Sequence, residues 1–109
     1  MSQRVRRNLA LLKLLSRTSA QQRKALLCSA SDDLINAICE IALNTLKGNV
    51  PLTPGHLKTL KKKSGLIKKL SNKRTSLSSK KKLVKQSGGF IGSLLGIALP
   101  LITGLLSGT

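Results

Sequence analysis

Aromatic residues are almost missing from this chain: Phe90 stands alone, with no Trp and no Tyr. Proteins that grip single-stranded nucleic acid usually stack bases on several rings, so their absence argues against an RRM, an OB-fold or a cold-shock platform. Phosphate contacts need only positive charge and stay open. Acids are nearly as scarce, with Asp32, Asp33 and Glu40 set against 20 Lys and Arg. One His and two Cys add little from which to build a catalytic centre, so a non-enzymatic protein is expected. Asp32 and Asp33 are adjacent, which suits a helix terminus better than paired acid–base work. Cys28 and Cys39 are too few for a disulfide framework, and neither has a Cys or His at zinc-finger spacing. His56 is isolated. No metal, no cofactor and no small-molecule substrate is therefore expected. Both thiols fall among apolar helical positions and read as buried and reduced, which fits an intracellular protein. The basic N-terminus leads into an apolar stretch that Lys13 interrupts, without a small-residue cleavage site after it, so it does not read as a secretory leader.

What the chain does have is positive charge. The formal net charge is +17 over 109 residues. It is +7 over residues 1–30, −2 over residues 31–50 and +12 over residues 51–109. Such a chain repels itself unless counterions or an anionic partner neutralise it. Double-stranded DNA, RNA or an anionic membrane face are the partners this balance points to.

The apolar periodicity is helical, and the fold class expected is all-α. A helix is predicted over residues 4–17, with Val5, Leu9, Leu12 and Ser16 on one face and Leu11, Leu14 and Leu15 widening it. Ser19 followed by Gln22 is a capping-box pattern, opening a short helix to Cys28 that buries Ala25, Leu26 and Leu27. Ser31-Asp32-Asp33 opens a third helix, with Leu34, Ile35, Ile38, Ile41, Ala42 and Leu46 at helical spacing and Gly48 as its stop. Thr53-Pro54 starts a fourth, in which Leu57 and Leu60 dock and Gly65 interrupts before Leu66, Ile67 and Leu70. The organisation expected is a helical segment over 1–50, a basic helical extension over 51–70, a disordered Lys/Ser-rich linker over 71–87 and a hydrophobic tail over 88–109. A three- or four-helix cluster over residues 4–70 has a thin core, near the limit of independent stability.

Residues 86–109 contain no charge at all. As a helix, residues 90–106 would span about 26 Å, slightly short of a bilayer core. The spacings Gly92 to Gly96 and Gly104 to Gly108 are small-xxx-small pairs, and Pro100 sits inside the run. Three readings stand: a membrane-inserting or interfacial segment, an anchor for self-association or a protein partner, and a tail folded back onto the helical core. In the first two, Phe90, Ile91, Leu94, Leu95, Ile97, Leu99, Leu101 and Ile102 make the contact.

A polybasic run followed by Gly88-Gly89-Phe90 and a Pro-containing apolar tail resembles adenovirus protein X, the precursor of the core peptide mu. The pattern is closer to the protein X-like products of adintoviruses and Maverick/Polinton elements, including the stretch from Ala37-Ile38-Cys39 to Pro51-Leu52-Thr53. The likeness covers most of the chain. It implies a late virion protein packed beside a double-stranded DNA genome, in the host nucleus during assembly. It also implies cleavage after Gly89 by a viral cysteine protease, with Gly88 and Gly89 as recognition residues. The chain departs from the pattern at Gln86, where that protease prefers an apolar residue, and in using mostly Lys where mu is Arg-rich.

The function expected is therefore condensation of double-stranded DNA without sequence preference. Arg4, Arg6, Arg7, Lys58, Lys61, Lys62, Lys63, Lys68, Lys69, Lys73, Arg74, Lys80, Lys81, Lys82 and Lys85 are the candidate phosphate contacts. Ten such contacts would give a slope of log K against log salt near −9. Capsid or core proteins and self-association are further candidate partners. The alternative is a cationic membrane-active or tail-anchored protein, with host membrane as its location. A helix-turn-helix regulator would use residues 53–63 to read bases, but that segment has no Arg, Asn or Gln for bidentate contacts.

Overall fold

A computed structural model describes the backbone of residues 3–107 and the side chains of residues 3–103. Gly108 and the tail's last turn of side chains therefore lie outside the described residues. The expected all-α class is what the chain adopts. Among the described residues there are eight helices: α1 Gln3–Arg7, α2 Leu9–Arg17, α3 Ala20–Cys28, α4 Asp32–Leu46, α5 Pro54–Lys61, α6 Ser64–Ser71, α7 Leu77–Gln86 and α8 Gly88–Ser107.

The predicted helix over 4–17 is two helices with a step at Asn8. Its buried side-chain amide donates to the Arg4 carbonyl at 2.8 Å and to Asp33 Oδ2 at 2.8 Å. Asn side chains compete with the helix for backbone groups, and here that competition also ties α1 to α4. Val5, Leu12 and Leu15 point into the core, while Leu11 and Leu14 are exposed. In α3 the Ser19–Gln22 capping box forms in both directions, at 3.3 Å each way. Only Leu27 of its expected apolar trio is fully buried; Leu26 is half-buried and Ala25 exposed.

The α4 helix is the centre of the molecule. Ser31 Oγ accepts from the Leu34 amide at 3.1 Å, and Asp32 and Asp33 fill the first turn. Leu34, Ile35, Ala37, Ile38, Cys39, Ile41 and Ala42 are buried. The helix stops as Gly48 predicts. That residue has φ 77°, its amide donates to the Thr45 carbonyl at 3.3 Å, and the Asn49 amide donates to the Asn44 carbonyl at 2.9 Å. These two bonds are a Schellman stop, which needs a left-handed residue that glycine supplies without strain.

Thr53 caps α5, as expected. Its Oγ1 accepts from the His56 amide at 3.2 Å, and His56 Nδ1 accepts from the Thr53 amide at 3.4 Å. His56 is thus a capping residue. The break before α6 falls at Lys62 and Lys63, and Gly65 lies inside the next helix rather than interrupting it. Leu60, Ile67 and Leu70 are buried, whereas Leu57, expected to dock, is exposed.

Towards the C-terminus one expectation is corrected, and the tail takes one of its three readings. The stretch 71–87 is not a disordered linker: an Asn72 turn leads into α7, where Ser76 Oγ accepts from the Ser79 amide at 3.2 Å. Val84 is buried and Leu77 and Leu83 pack on the core, so three apolar residues at helical spacing suffice to dock a lysine-rich helix. The tail, in turn, completes the core. The α8 axis turns 92° from α7 at Ser87 and lies mainly against α2, with further contacts to α3 and α4. Ile91, Leu94, Leu95, Ala98, Leu99 and Ile102 are buried, and Phe90, Ile97 and Leu101 are half-buried. Each fully buried Leu or Ile contributes about 1.5–3 kcal/mol, so α8 supplies the thickness that residues 4–70 lack. Pro100 is exposed, on the side of α8 where a lost backbone bond meets water. Among the described residues no single helix is long and apolar enough to cross a membrane; only the bent pair α7 with Gly88–Thr103 reaches that length and composition.

Candidate nucleic-acid interface

The three acids lie on α4, and two are held by cations from elsewhere in the chain. Arg7 Nη2 donates to Asp33 Oδ1 at 3.0 Å and Arg4 Nε to the same oxygen at 3.4 Å. The Arg7 guanidinium, then the Asn8 amide, hold the Asp33 carboxyl down at about 2. Lys81 Nζ pairs with Asp32 Oδ1. Arg4, Arg7 and Lys81, all candidate phosphate contacts, therefore also stitch α1 and α7 to the start of α4. Arg6 is exposed.

Consecutive lysines on α7 take three directions, because a helix rotates about 100° per residue. Lys80 is half-buried against α4, in a recess shared with Arg4, Lys73, Glu40 and Cys39. Burial raises the Cys39 thiol above its usual range, and Lys80 partly opposes that. Lys81 goes to Asp32. Lys82 is exposed and faces a cleft between α6 and α7 that it lines with Lys69, Thr75, Ser79, Leu83 and Gln86. Ser79, Lys82 and Gln86 stand at i, i+3 and i+7, one face of the helix. Two ammonium groups, two hydroxyls and an amide thus share a surface with no acid in its lining, which suits phosphodiester oxygens.

The other candidate phosphate contacts are exposed: Lys58 and Lys61 on α5, Lys62 and Lys63 in the break, Lys68 and Lys69 on α6, Lys73 and Arg74 in the turn, and Lys85 at the end of α7. Sequence reasoning missed the neutral donors Thr75, Ser79 and Gln86, although the spacing of Ser79 and Gln86 about Lys82 was there to be read. It also missed a second basic groove, where Lys13 and Arg17 on α2 face Gly96, Leu99, Pro100 and Thr103 on α8.

Gly88 and Gly89 form the first turn of α8. Gly88 is half-buried, with Leu27 Cδ1 3.8 Å from where a Cβ would stand, and Gly89 is exposed. The bond after Gly89 is therefore helical, and cutting it would detach the core's largest apolar helix. The eight tail residues assigned to membrane or partner contact face the protein interior wholly or in part. Cys28 is exposed and only Cys39 buried, correcting the reading of two buried thiols. The chain matches no known protein family, no curated protein and no solved structure.

Proposed function

We propose that this protein binds and condenses double-stranded DNA without sequence preference, as a core component of a virus-like particle. The observation that carries the reading is the separation of charge. Acids are confined to α4, two of them already held by cations, while the lysines of α5, α6 and the outer face of α7 point to solvent. Phosphates are the ligands such a surface neutralises, with release of condensed counterions as the driving force. The virion setting, and assembly in the host nucleus, rest on the resemblance to adenovirus protein X.

The test is anisotropy of labelled random-sequence duplexes titrated with the full-length chain, from about 50 to about 300 mM salt. Steep salt dependence and equal affinity for unrelated duplexes are expected. Weak, salt-insensitive binding, alongside tight binding to anionic vesicles, would overturn the reading in favour of membrane activity. Vesicle binding through the tail requires α8 to leave a core in which six of its side chains are buried.

A further inference from the structure

The α4 stop and the α5–α6 break leave a wedge that the chain does not fill. Its floor is Leu52, Leu60 and Ile67; Leu46 and Leu57 form its lips, and Lys61 and Ser64 stand on its wall. The two lip leucines are 47 % and 44 % exposed, against 4 % for Leu60 and Ile67 beneath them. Leu11 and Leu14 on α2 stand out to the same extent, but Leu46 and Leu57 come from different parts of the chain and flank one groove.

The charge around the groove selects the occupant. No acid lines it. Lys61 stands on its wall, Lys47 follows Leu46 and Lys58 follows Leu57, and all three are exposed. Among the described residues there is no strand, hence no open sheet edge on which an extended peptide could add itself by backbone pairing. The occupant must present side chains, at the i, i+4 and i+7 spacing with which a helix fills a groove. A second copy of this chain fits poorly, since it brings the same +17 charge to a lysine-rimmed surface. The geometry points to an acidic amphipathic helix of another protein as the partner of the Leu46–Leu57 groove. Its leucine-like anchors rest on Leu60 and Ile67, and a carboxylate meets Lys61 on the wall. This partner site borders the phosphate-binding surface and shares Lys61 with it, and its test uses no DNA.

The experiment is an NMR titration of the 15N-labelled full-length protein with a synthetic acidic peptide carrying Leu at i, i+4 and i+7. A scramble of identical composition controls for bulk charge. Saturable shifts confined to the groove, and at least about tenfold weaker binding by the scramble and by Leu57→Glu, are expected. Leu57 is exposed and its replacement should leave the fold intact, which the amide spectrum of the variant checks; Leu46→Ser is the second variant should it not. Equal binding of peptide and scramble, or shifts centred on α7, would overturn the proposal and leave only charge attraction. Sedimentation showing a dimer that Leu57→Glu dissolves would also overturn it, assigning the groove to a second copy.

Discussion

Gly92 has no side chain because Arg23 occupies the space. A Cβ there would stand 2.3 Å from Arg23 Cζ. The guanidinium donates to the carbonyls of Leu15 at 2.8 Å and Thr18 at 2.7 Å, so it closes the C-terminal end of α2, where a cation also suits the helix dipole. Gly92→Ala should displace it, losing charge-assisted bonds of about 1.5–3 kcal/mol while gaining about 1 kcal/mol of helix propensity. A net loss is expected in the wild-type chain. In an Arg23→Ala background the same substitution should be neutral or stabilising by up to about 1 kcal/mol. Urea unfolding of the four proteins in this cycle measures the coupling, and additive effects would remove Arg23 as the reason for the glycine. Asp33 gives the second prediction at this scale. Its carboxyl is lowered from 3.8 to about 2 in the folded chain, first by Arg7 and then by Asn8. A depressed acid contributes stability that is fully present above its unfolded pKa and lost as pH falls through its folded one. Thermal midpoints should therefore decline between about pH 4 and pH 2 in the wild type, and more shallowly in Asp33→Asn.

Elements were legible in the sequence where their signals are local. The Ser19–Gln22 box, the Ser31 cap, the Gly48 stop and the Thr53-Pro54 start all sit where backbone chemistry requires those residue types. The sequence misses α7 as a helix and leaves α8 between three readings, because tertiary contacts decide both. In α7, Leu77, Leu83 and Val84 are outnumbered by Lys and Ser, and only the core beneath them turns three apolar residues into a docked helix. In α8 an unbroken apolar run reads alike for a bilayer and for a buried core helix, and periodicity does not separate them. The interface shows the same limit. Lys80, Lys81 and Lys82 are equivalent as letters, yet one lies beside Cys39, one holds Asp32 and one faces the α6–α7 cleft. The measurable consequence concerns α8. Leu94 is fully buried, and Leu94→Ala should cost about 2–5 kcal/mol, a large part of a small domain's stability. Circular dichroism melts check this. A tail held outside the core would tolerate the change within about 0.5 kcal/mol.

At the scale of the whole molecule, shape limits how many cations one duplex can use. The radius of gyration is 12.7 Å, close to the about 13 Å expected for a folded chain of this length, and the extents are 32 × 28 × 27 Å. Twenty Lys and Arg spread over such a body cannot all meet one DNA helix. The basic side chains instead fall into separate settings: Lys69 and Lys82 in the α6–α7 cleft, and Lys13 and Arg17 in the α2–α8 groove. A flexible polycation would wrap one duplex and give a slope near −9 for ten contacts, whereas a rigid body presenting one surface should give roughly −4 to −6 on a short duplex. Its remaining cations then stay available for a second duplex, and bridging of this kind draws DNA together. Long DNA should accordingly show a sharp rise in light scattering as protein is added, reversed by salt. Lys82→Gln should flatten the short-duplex slope by about 0.9, the contribution of one phosphate contact. Lys81→Gln should leave the slope nearly unchanged, because Lys81 already serves Asp32, and the loss of that partly exposed ion pair costs at most about 1 kcal/mol of stability. Equal effects of the two substitutions would mean that the lysines act as an undifferentiated charge cloud. The proposed DNA binding would then owe nothing to the folded surface.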